Sequence, residues 1–201
     1  MLEEPDRESA YDPPEWHAPP RMVGGHVAGP VVIARTDGVV VVARHVLAYP
    51  AGLEIEVEAH ARGASSPPDP SSAPGLAPFP GGPAYGPADS TGPAWPAFRL
   101  RLGDGGVVEQ DDETGLRDGR GPVMVVSGYE GSWGGPDGGG DVRMTLWTWP
   151  LPPPGPLTVA CAWPERGLRD AALVLDGAAV RAAALLARPF WTGGASGASG
   201  V

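Results

Sequence analysis

The stretch LEIEVEAH, residues 53–60, alternates without a fault: Leu53, Ile55, Val57 and Ala59 fall on one side, and Glu54, Glu56, Glu58 and His60 on the other. Period-two alternation is the mark of a strand with one dry face and one wet face. Such a strand belongs in an antiparallel sheet, because strands of parallel sheets are covered on both faces and read as continuous apolar runs. The flanking sequence supplies its partners. PVVIARTDGVVVVARHVLAY, from Pro30, holds two β-branched runs divided by Asp37-Gly38, a pair that favours a tight type I′ hairpin turn. YPAG then fits a turn with Pro50 in second place, which predicts that the 53–60 strand folds back on the run ending at Tyr49.

The same texture recurs towards the C-terminus. FRLRLGDGGVVEQ reads as a hairpin, with Phe98, Leu100 and Leu102 inward, Arg99 and Arg101 outward, and a Gly-Asp-Gly-Gly turn. Beside the 53–60 strand, its two arginines would face the glutamates. PVMVVSGY, VRMTLWTW, a strand at 157–163 and AALVLD follow, and Asp176 caps the alanine-rich GAAVRAAALLA before Pro189 stops it. Strands without intervening helices predict a mainly β chain: an antiparallel β-sandwich, immunoglobulin-like or jelly-roll-like, with one short C-terminal α-helix.

With 201 residues and no long-period repeat, one domain is expected over 23–191. Residues 1–22 read as a flexible acidic, proline-rich arm carrying Trp16 as an anchor. Residues 61–97 are rich in Pro, Gly, Ser and Ala and cannot bury enough surface to offset chain entropy, so they read as a disordered loop inside the domain. Residues 192–201 read as a disordered tail.

The residues present exclude several chemistries. There is no lysine, which removes Schiff-base catalysis and the phosphate-reaching lysine of a P-loop. A formal charge of −10, with the arginines scattered, opposes a nucleic-acid backbone and an anionic membrane surface alike. The acidic N-terminus has no apolar run for a signal or a span, and a single cysteine, Cys161, forms no internal disulfide, so a cytoplasmic location is expected. Cys161 alternates with apolar residues and reads as a buried small hydrophobe.

H-E-x-x-H, G-x-S-x-G, G-x-G-x-x-G and paired C-x-x-C motifs are all absent. His60 shares a strand face with Glu56 and Glu58, and together with His45 these are N and O donors of the kind that hold a metal. A solvated charged face explains the same pattern. Asp104, Asp137 and Asp141 sit in glycine-rich loops but match no calcium-binding spacing, and read as acidic turns. No metal or cofactor is expected.

The stretch TLWTWPLPPPGPLTVACAW contains the most distinctive candidates. Alternation puts Val142, Met144 and Leu146 on one strand face and Arg143, Thr145, Trp147 and Trp149 on the other, before Pro152 to Pro154 end the strand. Two readings stand. The tryptophans form a layer beneath the C-terminal helix or the Trp16 arm, or they stand open, helped by Arg143, to stack a sugar or grip a proline-rich peptide.

The stretches PPEWHAPP, AYPAGLEIEVEA and WTWPLPPPGPLTVACAWP resemble a set of uncharacterised actinobacterial proteins sharing a W-x-W-P-L-P-P-P-G-P-L motif. The likeness runs from about Trp16 to Trp163, and it implies no activity and no catalytic residues. The expectation is therefore a non-catalytic binding or interaction module for a protein or peptide partner, with Trp147, Trp149, Arg143 and Trp16 as the contact residues. The alternatives are a metal-dependent or hydrolytic enzyme built on the acidic loops and His45/His60, and a carbohydrate-binding module built on Trp147/Trp149.

Overall fold

Each apolar or alternating run becomes a strand in the computed structural model, which describes residues 14–63, 96–110, 115, 118–133 and 139–191. The first part of the expected arm, nearly all of the expected 61–97 loop and the 192–201 tail lie outside the described residues. The two ends of that loop are ladder residues, not loop: Ala61 pairs with Val39, and Ala97 with Ala162.

Six strands make the larger sheet: β2 (Gly25–Ala28), β3 (Val31–Arg35), β4 (Val39–Ala48), β5 (Leu53–Ala61), β8 (Val123–Trp133) and β9 (Gly140–Trp149). Their order is β2-β4-β5-β9-β8, with β3 also paired to β4. Four strands make the second sheet, in the order β11-β10-β6-β7: β6 (Ala97–Arg101), β7 (Val107–Glu109), β10 (Pro156–Trp163) and β11 (Leu168–Asp176). β1 (Met22–Val23) and β12 (Arg188–Pro189) form a small pair of their own. All these ladders are antiparallel.

The inward faces of both sheets feed one buried cluster. Ile55, Val57, Met144 and Leu146 come from the larger sheet, and Leu100, Leu157, Val159 and Trp163 from the smaller. Each fully buried aliphatic side chain contributes about 1.5–3 kcal/mol over the exposed state. The helix α1 (Gly177–Ala184) is capped by Asp176, whose Oδ1 accepts from the Ala178 N–H at 2.9 Å, and adds Val180 and Ala183 to the same cluster. Its first turn rests on the proline corner: Gly177 N–H donates to Gly155 O at 2.8 Å, and the Arg181 guanidinium to Pro152 O at 3.3 Å. β9 stops at Trp149, directly before Pro150 and ahead of Pro152 to Pro154, which were expected to end it, and the corner at 152–155 seats the helix.

Two expectations are corrected. β6 does not adjoin β5 but pairs with β10, so Arg99 stands opposite Ala160 and ion-pairs with Glu109 at 2.7 Å instead of facing the glutamates of β5. Phe98 and Leu100 are satisfied equally well by either sheet, so their alternation did not decide between them. The Asp37-Gly38 hairpin forms, yet Gly38 lacks the positive φ that a type I′ turn requires. The Thr36 hydroxyl holds this turn instead, accepting from Gly38 N–H at 3.3 Å and Val39 N–H at 3.0 Å.

Candidate functional site

The outer face of the larger sheet carries most of the candidate residues. A bulge in β4 breaks its alternation between Ala43 and Val46, and so turns two successive residues, Arg44 and His45, to this face. Arg44 pairs with Glu58 at 2.9 Å, and His45 Nε2 lies 3.7 Å from Glu54 and 3.6 Å from Glu56. Across the other ladder, Arg143 of β9 lies 3.6 Å from both Glu56 and Glu58 and 3.8 Å from Glu130. His60 closes the strip, with Nδ1 2.5 Å from Asp141 and Nε2 3.7 Å from Glu58.

Every acid named on this strip thus has a cationic or imidazole neighbour. Such half-exposed pairs contribute a few tenths of a kcal/mol each and hold the register of β4, β5 and β9. The two histidines do not converge. His45 stands opposite Glu56, four residues along β5 from His60, or about 13 Å at the rise of a strand. Among the described residues no three His, Cys, Asp or Glu side chains are grouped to hold a metal ion. Asp104 caps its own turn by accepting from Gly106 N–H at 2.8 Å, and Asp137 lies outside the described residues.

Trp147 occupies the far end of the same face and is only 2% exposed. Its indole N–H donates to the backbone carbonyl of Trp16 at 2.8 Å, and its ring meets the Tyr49 ring edge-on at 5.8 Å between centroids. Gly52 lies flush beneath it: a Cβ added there would stand 2.6 Å from Trp147 Cζ2. The segment around Trp16 is the cover, whereas α1 packs on the inner side, where a Cβ on Gly25 would meet Ala183 O at 1.8 Å.

Trp149 is half-buried against Gly121, and Arg143 sits six residues back from it along β9, engaged with the glutamates. The structure therefore joins Trp16 to Trp147 and leaves Arg143 apart, and the ring at 147 offers no open platform. Burial around this end also pushes the Glu54 carboxyl above its ordinary range, with Glu56 adding to the effect and His45 opposing it.

A second surface went unread in the sequence. After α1 the chain turns and pairs as β12 with β1, and Phe190 N–H donates to Arg21 O at 3.0 Å. Leu185 (87% exposed), Leu186 (72%), Phe190 (52%) and Trp191 (72%) all project to solvent, and Phe190 and Trp191 meet edge to face at 5.8 Å. Val23, opposite Arg188, is exposed as well. The signal lay in large apolar residues continuing past the end of the helix, where no core position remained for them.

No helix among the described residues is long and apolar enough to cross a membrane. No family model matches the chain, and neither a curated protein nor a solved structure matches it.

Proposed function

We propose that the chain is a non-catalytic module that binds a protein partner, and that its contact surface is the apolar corner formed by Leu185, Leu186, Phe190 and Trp191 beside the β1–β12 pair. The exposure of these four side chains within one short stretch carries the reading. Scattered apolar residues are ordinary on a surface, but large ones gathered at one corner mark interaction sites. Tryptophan and phenylalanine are the anchors that such contacts favour. Two sheets sharing one buried cluster fit a β-sandwich scaffold that presents this corner rigidly. The resemblance to actinobacterial proteins with the Trp-Pro motif suits a module of this kind, since it implies no reaction.

The alternatives draw less support from the described residues. A carbohydrate platform needs an open Trp147, and a metal-dependent enzyme needs His45 and His60 to converge. The test is affinity capture from a lysate of the native host by immobilised wild-type protein and by a Leu186→Ser/Trp191→Ser variant whose circular dichroism matches it. A protein retained by the wild type and lost by the variant is expected. Equal retention by both, or retention of nothing, would overturn the proposal.

A further inference from the structure

The outer face of the smaller sheet carries a groove of about 200 Å³ that none of the sequence signals indicated. Its floor is low because β10 presents alanines there, Ala160 and Ala162, flanked by Ala97 of β6. Longer side chains stand around it: Arg99 and Arg101 from β6, Glu109 from β7, and Arg169 with Asp170 from β11.

Register explains why β11 contributes two residues. Cys161 pairs with Ala171 and Trp163 with Leu168, so Arg169 and Asp170 together oppose the single residue Ala162. Bulges of this kind re-aim side chains and are common beside functional sites. Arg99 is held by Glu109 at 2.7 Å. Arg101 and Arg169 have no carboxylate partner among the described residues, although acids outnumber bases in the chain by 24 to 14. This contrasts with the outer face of the larger sheet, where Arg44 and Arg143 are both neutralised by glutamates.

We infer that this groove binds a compact organic anion, a dicarboxylate or a phosphate monoester, whose oxygens accept from the guanidinium groups of Arg101 and Arg169. The planar guanidinium fork matches either group in a two-pronged contact. The volume suits a small molecule, and the carboxylates of Asp170 and Glu109 on the lining oppose an extended acidic chain. This inference is independent of the apolar corner, whose residues follow the helix and β12.

The experiment is isothermal titration of the full chain with succinate and, separately, with glycerol phosphate, each to about 10 mM. Saturable one-to-one binding of either probe is expected, and whichever binds more tightly identifies the acidic group. Arg101→Gln and Arg169→Gln, both at exposed positions, should each weaken it by about tenfold, the loss expected for a hydrogen bond to a charged group. Arg44→Gln, on the outer face of the larger sheet where it pairs with Glu58, should leave it unchanged. Absence of saturable binding by both probes would overturn the inference, as would binding that survives both groove substitutions.

Discussion

The indole N–H of Trp147 donates to the carbonyl of Trp16 across 131 positions of sequence, at 2.8 Å, and so ties the N-terminal segment to the outer face of β9. Trp147→Phe keeps an aromatic ring over Gly52 but leaves the Trp16 carbonyl without this donor, and should cost about 1–2 kcal/mol. Trp147→Ala also removes the buried ring and should cost about 3–5 kcal/mol. Urea midpoints give both values. Limited proteolysis adds a second readout: the bond near Trp16 should become cleavable in the alanine variant under conditions where the wild type resists. Unchanged protection there would mean that other contacts hold the segment.

Two glycines separate close packing from mere turn formation. A Cβ on Gly25 would stand 1.8 Å from the Ala183 carbonyl oxygen, whereas one on Gly38 would meet nothing within 4 Å. Gly25→Ala must push α1 off β2 and should cost about 2 kcal/mol or more, in the range of overpacked cores. Gly38→Ala should be neutral, or stabilising by about 0.5 kcal/mol through a less flexible unfolded chain. Thermal unfolding of the pair checks the contrast, and similar effects at both positions would contradict the seating of the helix on β2.

How much of this was legible in the sequence depends on the level asked. The alternation in Leu53–Ala61 and Val142–Leu146 named the buried faces correctly, because a strand's period is two whatever its neighbours are. It did not name the sheet: Phe98 and Leu100 suit the inner face of either one, and only the register with β10 placed Arg99 beside Glu109. Arg44 was readable in principle, since the apolar parity of Val39, Val41 and Ala43 slips before Val46 and Ala48, and such a slip is a bulge. The fate of Trp147 was not readable, because its cover comes from Trp16 across most of the chain. Arg169 and Asp170 fell before the apolar run that marked β11, and their place on the groove rim depends on a bulge that no local pattern announces.

Glu54 makes stability depend on pH in a definite direction. Burial raises its carboxyl above the ordinary value of 4.5, with Glu56 adding to the rise and His45 opposing it. A folded-state pKa above the unfolded one means that the folded chain holds this proton more tightly. The stability so gained is complete below 4.5 and is lost as pH rises through the raised value. At pH 7 the buried charge is therefore a cost, and Glu54→Gln should raise the urea midpoint there, with the advantage closing as pH falls below 4.5. A variant less stable at neutral pH would show that the contact with His45, 3.7 Å away, outweighs burial.

Cys161 offers a probe of the shared core. Its side chain faces inward among Phe98, Val159 and Trp163, it is 1% exposed, and burial pushes the thiol up to about 12. Since the thiolate is the reactive form, the native protein should resist a disulfide reagent at pH 8, and labelling should follow opening of the sheets. The labelling rate should then rise with urea in step with unfolding, and a ligand that stabilises the groove over β10 should slow it. Rapid stoichiometric labelling of the folded chain would instead place the thiol at the surface, and would contradict the pairing of β6 with β10 that buries it.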